Sequence, residues 1–500
     1  MKKLIGRIRD YFQGAQGDNL FRLDGAVPLN KAIPFGFQHV LAMFVANIAP
    51  LFIVLAAQHN GVGLSKEVTE NAIRSAIFVA AIGTTVQLFP IWRIGSKLPI
   101  VVGLSFTFVG VLYLIATTYG FPTMFISVII GGLFIGVLGL FAKYWRRFIK
   151  PIVAACVVLG IGLSLLLVGI DEFIASNSGT IVNGVYDFSK GWPYLVVAFS
   201  ALASSLLFYI FMPGVWKNIN ILAGLIVAYL VALCFQGTPY AMIDFGSMIQ
   251  GNASDVTNWI NVPRPIFTLM SFSWGDFNIG AILSVCLIYL VATTEGIGDL
   301  SSLANAGLGR DPTDQEISGG LSCDGFTSAL AGCFGALPLT TFTQNVGIVG
   351  QTKVVNRFTI LQGTLLLFAA SLFPMVSRFL MTIPEAVLGG CMVNLFASIV
   401  VIGMQMLAKC GWSQKNVTIA SLALGLGYGI TLVPAFTANT YTGNLEWLNY
   451  LMLIMQNPVA NMFIISLILS YVLPERMNGP KGPEEAPASE ESKASTQLRS

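Results

Sequence analysis

Charge is the first thing this chain lacks. Asp, Glu, Lys and Arg make up only 10% of its 500 residues, against 55% hydrophobic residues. A soluble domain carries about 25% charged residues, so a water-exposed globular surface is excluded. The net charge of +3 decides little, because placement matters more than the sum. Histidine is nearly absent, with two in the chain. The seven cysteines (Cys156, Cys234, Cys286, Cys323, Cys333, Cys391 and Cys410) lie in or at the ends of apolar runs. They show no metal-ligand spacing and no disulfide framework, so they read as small apolar packing groups. There is no nucleophile–base pair, metal cluster or Gly-rich phosphate loop, which argues against an enzyme. No cofactor, metal or nucleic-acid partner is expected. The first thirty residues lack a continuous apolar core before the first long run, so they read as a cytoplasmic lead-in with a short amphipathic surface helix, not as a cleaved leader.

What is present is a series of apolar stretches long enough to cross a bilayer as helices. They give about fourteen spans, with the third at 99–118, the eighth at 277–300, the ninth at 316–333 and the tenth at 338–351. With the N-terminus inside, most basic loop residues between Arg93 and Lys415 fall on the inner side, leaving chiefly Lys66, Lys190, Arg264 and Arg378 outside. An even number of crossings returns the C-terminus to the cytoplasm. The expected location is therefore the plasma (inner) membrane, with both termini cytoplasmic. The Pro/Ser/Glu-rich tail 475–500 is expected to be disordered. Asn252 heads a glycosylation sequon by pattern only.

A repeat is visible. Leu98-Pro99 opens the third span and Leu337-Pro338 the tenth; Pro151 opens the fifth and Pro384 the twelfth. Seven spans per half is an odd number, so the second half enters the membrane from the opposite side. Inverted repeats of this kind serve alternating access in secondary transporters. The third and tenth spans, PIVVGLSFTF and PLTTFTQNVG, are rich in β-branched residues and interrupted by glycine. Irregular backbone at membrane depth is tolerated only where protein or water satisfies it, so Thr340–Gly350 is expected to line a cavity. A kinked helix with its polar groups bonded to a neighbour is the alternative.

Charged residues inside spans are few. Glu295 and Asp299 in VATTEGIGDL lie four apart on one helix face, and Asp324 lies in GGLSCDGFTS, with no basic residue in either span. Intramembrane carboxylates are costly and mark ion or proton pathways. Glu295 is the foremost candidate; Asp299 and Asp324 read equally as structural groups. His39, inside the first span, reads first as a structural group bonded to a neighbouring polar span and second as a proton carrier. His59 reads as a solvated loop residue.

Four pieces together carry a family resemblance: Gln38-His39, Gly103-Leu-Ser105-Phe106, Glu295 with Asp299, and Gln344-Asn345-x-Gly347 followed by Thr352-Lys353. From about residue 30 to 474 the chain resembles the nucleobase–ascorbate transporters, or nucleobase:cation symporters 2, of xanthine, urate and uracil. The resemblance implies an all-α membrane protein of 14 transmembrane segments in two inverted seven-span repeats, with short β-strands in spans three and ten that meet mid-membrane. It implies a cytoplasmic segment 1–30, a core domain at 31–145 and 277–381, and a gate domain at 146–240 and 382–474. An outer loop at 241–276 and the tail complete the chain, and the family is typically homodimeric.

The resemblance also assigns roles. Glu295 would accept from the ring N–H groups of a base, Gln344 would meet its other edge, and Phe106 would supply a packing face. Gly103, Ser105 and Thr343 would complete the substrate site. Glu295, Asp324, Asp299 and His39 would serve proton coupling, with sodium as the alternative ion. Asn345, Gly347, Thr352, Lys353 and Gln38 would shape or gate the site. Gln at 344 and Asp at 299 lean toward an oxidised purine, most of all xanthine, then urate, with uracil as the alternative. Lys353 departs from the small residue common in purine carriers. An anion exchanger or channel of the same fold is a further alternative, disfavoured by carboxylates where an anion would need positive charge.

Overall fold

The computed structural model describes residues 17–182, 185–213, 217, 219–247, 259–433, 452 and 454–478. The expected N-terminal surface helix, Asn252 and the tail beyond Asn478 lie outside the described residues.

The chain is mostly helical. In order come α1 (Leu29–Leu55), α2 (Lys66–Leu88), strand β1 (Val102–Leu104), α3 (Val109–Tyr119, entered by a 3-10 turn Phe106–Phe108) and α4 (Phe121–Leu140). Then follow α5 (Pro151–Phe173), the peripheral hairpin β2 (Ile181–Val182) and β3 (Val185–Tyr186), α6 (Phe188–Phe211) and α7 (Asn220–Leu233). After them come α8 (Ile279–Leu303, continued by a π-turn Ala304–Leu308), α9 (Asp314–Cys333), β4 (Leu339–Thr341), α10 (Thr343–Thr352) and α11 (Arg357–Ser371, with a bent continuation Pro374–Met381). The last helices are α12 (Glu385–Lys409), α13 (Gln414–Leu422) and α14 (Pro458–Val472).

Local sequence explains many of these ends. Ser65 and Asn278 cap α2 and α8 by accepting from Val68 N and Ala281 N. Thr313 and Glu316 form a reciprocal capping box at α9. Gly120, at φ 90°, separates α3 from α4.

Among the described residues, seven helices are long and apolar enough to cross a membrane: α1, α2, α4, α5, α6, α8 with its π-turn, and α12. The bent α11 pair, which turns by 82°, would make an eighth, and α3, α7 and α14 are shorter apolar helices. The sequence anticipates about fourteen spans. The two counts differ for physical reasons. The third and tenth positions begin with a three-residue strand and leave only a half-helix, and the thirteenth runs from α13 into π and 3-10 turns. The ninth carries Asp314, Glu316 and Asp324.

The helices sort by packing. α4 lies against α9 and α8, and α1 and α2 lie against α11. Separately, α5 lies against α12 and α14, while α6 packs on α7 and α12. α8 touches both sets, meeting α5 and α14 as well as α4. The closest crossings are lined with glycine. A side chain at Gly132 would strike Ala329 N at 2.5 Å, and one at Gly139 would strike Ser322 N at 2.6 Å. One at Gly325 would run into the backbone of Gly136. Gly162 and Gly403 do the same for α5 and α12, and Gly36 and Gly363 for α1 and α11. Between helices in lipid there is no hydrophobic drive, so close backbone approach through small residues carries the association. α6 is the counter-example: Phe199, Leu206, Leu207, Ile210 and Phe211 are exposed, a surface suited to lipid.

Polar staples close the ends. The described part of the outer loop folds back onto α2: Asn71 Oδ1 accepts from Arg264 N at 2.8 Å, and Arg74 donates to Asn261 O at 3.0 Å. Glu475, just past α14, accepts from Lys415 at 2.8 Å and Lys150 at 3.2 Å. Those two hydrogen bonds hold its carboxyl below the usual carboxylate range. This staple is complete at neutral pH and is released as pH falls through the lowered value. His59, expected to be free in a loop, instead places Nδ1 2.8 Å from Thr117 O, at the end of α3.

Gly325→Val should put a branched side chain into the backbone of α4, a clash of the kind that costs about 1–3 kcal/mol or more. We expect a markedly lower melting temperature in detergent. Gly425→Ala, where nothing lies within 4 Å, should melt like the parent protein.

Candidate functional site

The two short strands pair antiparallel, Val102 with Thr341, Gly103 with Thr340 and Leu104 with Leu339. The ladder continues one bond each way, from Ser105 N to Pro338 O and from Phe342 N to Val101 O, both 2.9 Å. Their outer edges would be left open in an apolar interior, where each unpaired backbone group costs several kcal/mol. Side chains from three helices close them. Asn47 Oδ1 on α1 accepts from Leu104 N at 2.8 Å, and Thr84 Oγ1 on α2 accepts from Val102 N at 3.1 Å. Ser328 Oγ on α9 accepts from Leu339 N at 2.8 Å. Each strand runs directly into a half-helix, so the starts of α3's entry turn and of α10 meet at the strand pair.

Three carboxylates face this junction. Thr107 Oγ1, in the entry turn of α3, donates to Glu295 Oε2 at 2.8 Å. Thr343 Oγ1, the first residue of α10, donates to Asp299 Oδ2 at 2.9 Å. Asp324 Oδ1 on α9 accepts from Gln87 Nε2 on α2 at 2.9 Å, and Gln87 Oε1 in turn accepts from Ser96 N at 3.0 Å. The three acids are close enough to act on one another electrostatically. Among the described residues no Lys or Arg forms an ion pair with any of them.

The structure brings His39 and Asn345 together. Asn345 Nδ2 lies 3.0 Å from His39 Nδ1 and donates to His39 O at 3.1 Å. An amide nitrogen only donates, so Nδ1 accepts and the ring proton sits on Nε2. Both residues are buried, and Asn345 Oδ1 and Thr341 Oγ1 are buried without a partner among the described residues. Gln344 is half-buried on the first turn of α10, and its side chain makes no intramolecular hydrogen bond among those residues. Gly347 is exposed, with nothing within 4 Å of where a side chain would start.

The other candidate residues have different surroundings. The space in front of Gly103 is taken by the Phe342 ring and Asn47 Oδ1, so this glycine makes room for the protein's own side chains. Ser105 Oγ accepts from Thr107 N at 3.3 Å and caps the entry turn. Phe106 meets Phe396 of α12 edge-on at 5.1 Å, across the boundary between the two packing sets. Thr352 Oγ1 donates to Ile348 O at 2.9 Å. Lys353 ends α10 at φ 57°, a left-handed conformation that glycine adopts most easily, and its Nζ donates to Ala306 O in the π-turn at 2.7 Å. Gln38 is half-buried on α1, beside His39.

Beside Phe106 and Thr107 a cavity of about 50 Å³ reaches Ser164 and Val168 on α5 and Asn457, the cap of α14. A second, of about 10 Å³, touches Asp324, Thr293 and Thr340. Both are far smaller than the roughly 300–1,000 Å³ of a ligand pocket, so the junction is closely packed in this arrangement. Asn47, Thr84, Gln87, Thr107 and Ser328 were not singled out in the sequence. Asn47 and Gln87 carried a weak signal, since each is an amide set among apolar residues in the second half of its helix. The hydroxyl residues carried none.

A model described as "Permease family" matches residues 30–436. Xanthine permease XanQ of Escherichia coli (strain K12) is 32% identical over 484 residues, covering 92% of this chain and 95% of XanQ. Uric acid permease PucK of Bacillus subtilis (strain 168) is 31% identical over 401 residues, covering 80% of this chain and 87% of PucK. Among solved structures, the transmembrane domain of a cyanobacterium bicarbonate transporter, BicA, superposes with a TM-score of 0.54 at 13% identity, covering 91% of this chain and 99% of that one. SLC26A9 superposes with a TM-score of 0.51 at 12% identity, covering 79% of this chain and 62% of that one. These two show a shared fold.

The His39–Asn345 pair generates a double-mutant test. His39→Ala and Asn345→Ala should each lower the melting temperature in detergent. The double variant should fall short of the sum, by a coupling of about 0.5–3 kcal/mol. Additive effects would show that the bond joins α1 to α10 without energetic consequence.

Proposed function

The chain belongs to the nucleobase–ascorbate transporter family, the permeases of xanthine and uric acid, and we propose that it imports a purine nucleobase, xanthine first and urate second, by proton symport. It is a transporter and not an enzyme. In this reading the chain crosses the plasma membrane fourteen times, as two inverted sevens with both termini in the cytoplasm, and works as a homodimer. Residues 31–145 and 277–381 act as the core and 146–240 and 382–474 as the gate.

One observation carries the proposal: three carboxylates and an amide stand at the meeting point of two half-helices, with no cation paired to the acids among the described residues. An oxidised purine is a planar ring edged with N–H donors and carbonyl acceptors. Glu295 accepts from its N–H groups. Gln344 offers both a donor and an acceptor to the other edge, and Phe106 supplies an apolar face. Ser105, Thr343 and the backbone beside Gly103 frame the site. Asp299, Asp324 and Asn345 hold it in shape or relay a proton, while His39 braces α10 against α1. An ionised carboxylate at membrane depth is costly. Protonating Glu295 removes that charge while the core carries the base past the gate, and the two sets meet along α8 with α5 and α14. Gln38, Gly347, Thr352 and Lys353 line the inner half of the path, where Lys353 ties the end of α10 to α8.

Uracil is the alternative substrate and sodium the alternative ion. Anion exchange on the same fold is disfavoured by the acids at the junction.

The test is uptake of labelled xanthine by cells making this protein, with uracil and urate as competitors, with and without a protonophore. We expect accumulation that xanthine and urate compete for and that the protonophore abolishes. Uracil uptake insensitive to xanthine would overturn the substrate assignment, and dependence on sodium would overturn the ion. Glu295→Gln should abolish accumulation; proton-driven accumulation by that variant removes the mechanism. Gln344→Glu should weaken xanthine uptake, and an unchanged substrate profile removes Gln344 as the selector.

A further inference from the structure

The strand pair has a local two-fold axis. Its two outermost ladder bonds, Ser105 N to Pro338 O and Phe342 N to Val101 O, are mates of each other about the central pair Gly103 and Thr340. The same relation carries Ser105 onto Phe342, the residues that precede the two half-helices. It carries Phe106 onto Thr343, the residues that begin them. One residue further it carries Thr107 onto Gln344. The Gln344 side chain has no intramolecular hydrogen bond among the described residues, whereas its mate Thr107 is buried and donates to Glu295 at 2.8 Å.

We infer that Thr107 is a positioning residue for Glu295: its hydroxyl fixes one carboxylate oxygen and turns the other toward the place where Gln344, from the opposite half-helix, meets the same substrate. This deepens the reading of Glu295 given above and rests on it. A carboxylate has two oxygens with about four lone-pair sites. Tying Oε2 to the entry turn of α3 leaves Oε1 for a ligand N–H and removes a rotamer choice. Thr107 Oγ1 has one proton, spent on Glu295, while its backbone N–H is spent on Ser105 Oγ. Thr107 is thus held from both sides and holds Glu295 in turn. The titratable groups around Glu295 are Asp299 on its own helix and Asp324 on α9. Each has its own neutral donor, Thr343 and Gln87. Thr107 is therefore the donor specific to Glu295.

The experiment uses full-length protein in proteoliposomes and in detergent. Thr107→Val keeps the side chain's shape and deletes the hydroxyl. Losing a hydrogen bond to a charged group corresponds to a loss of roughly tenfold or more in affinity. We expect KM for xanthine to rise by that factor, with a smaller change in maximal rate and a displaced pH profile of uptake. The melting temperature should stay close to that of the parent. Thr107→Ser should recover most of the affinity. In a Glu295→Gln background, Thr107→Val should add no further loss of xanthine binding. Thr107→Ala serves if the valine variant does not fold.

A second readout needs no substrate. Labelling of Glu295 by a hydrophobic carbodiimide, located by mass spectrometry across a pH series, should change its pH profile in Thr107→Val and not in Thr107→Ser. An unchanged KM and an unchanged labelling profile in Thr107→Val overturn the positioning role while leaving the transport reading standing. If the parent protein takes up no base, the transport reading fails. The labelling profile then decides the role of Thr107 alone, a displaced profile supporting it and an unmoved one overturning it.

Discussion

The structure depends on one constraint: two extended segments at membrane depth must have every backbone polar group satisfied. Helices meet this requirement within themselves, and strands cannot. β1 and β4 satisfy only the edges they share. Their outer edges depend on Asn47, Thr84 and Ser328, which come from three different helices. Those helices must therefore sit in fixed places around the strand pair. Gly83 and Gly103 show how tight the fit is. A side chain at the first would strike Val102, and one at the second would displace Phe342.

The same constraint explains why the packing divides. Of the helices that serve the strands, α1 and α9 are bound to their neighbours α11 and α4 through glycine-lined crossings, and α2 packs on α11. The set built on α5 and α12 has glycine seams of its own and, among the described residues, supplies no bond to either strand edge. Where the sets meet, Phe106 packs edge-on against Phe396. The paired strands are thus confined to one set, and the boundary with the other set lies beside them.

Much of this was legible in the sequence because it breaks a pattern. Apolar runs marked the helices, the two Leu-Pro steps marked the strand entries, and acids in apolar spans marked the junction. Gln344 and Asn345 stood out for the same reason. What stayed hidden was the set of partners. Thr84, Thr107 and Ser328 are small residues that elsewhere bond to their own helix, and nothing in a one-dimensional pattern says which hydroxyl is turned outward. Gln87 could have been noticed as an amide at the apolar end of its helix, but its link to Asp324 joins residues 237 apart in the chain. At Gly103 the sequence motif says nothing of its immediate neighbours: the space before it is filled by Phe342.

The meeting of the two half-helices has an electrical consequence. Each helix presents roughly half a positive elementary charge at its N-terminus, and here both N-termini converge on the strand pair. Together they supply about one positive charge without any basic side chain. That is enough to balance about one ionised carboxylate among Glu295, Asp299 and Asp324, and not three. The junction is therefore close to neutral when one of the three acids is ionised and the other two are protonated. A single proton entering with a neutral base has one carboxylate to neutralise, whereas a second negative charge would meet acids and no compensating cation among the described residues. The backbone itself, through the direction in which two short helices point, thus limits how many protons this centre has to hold.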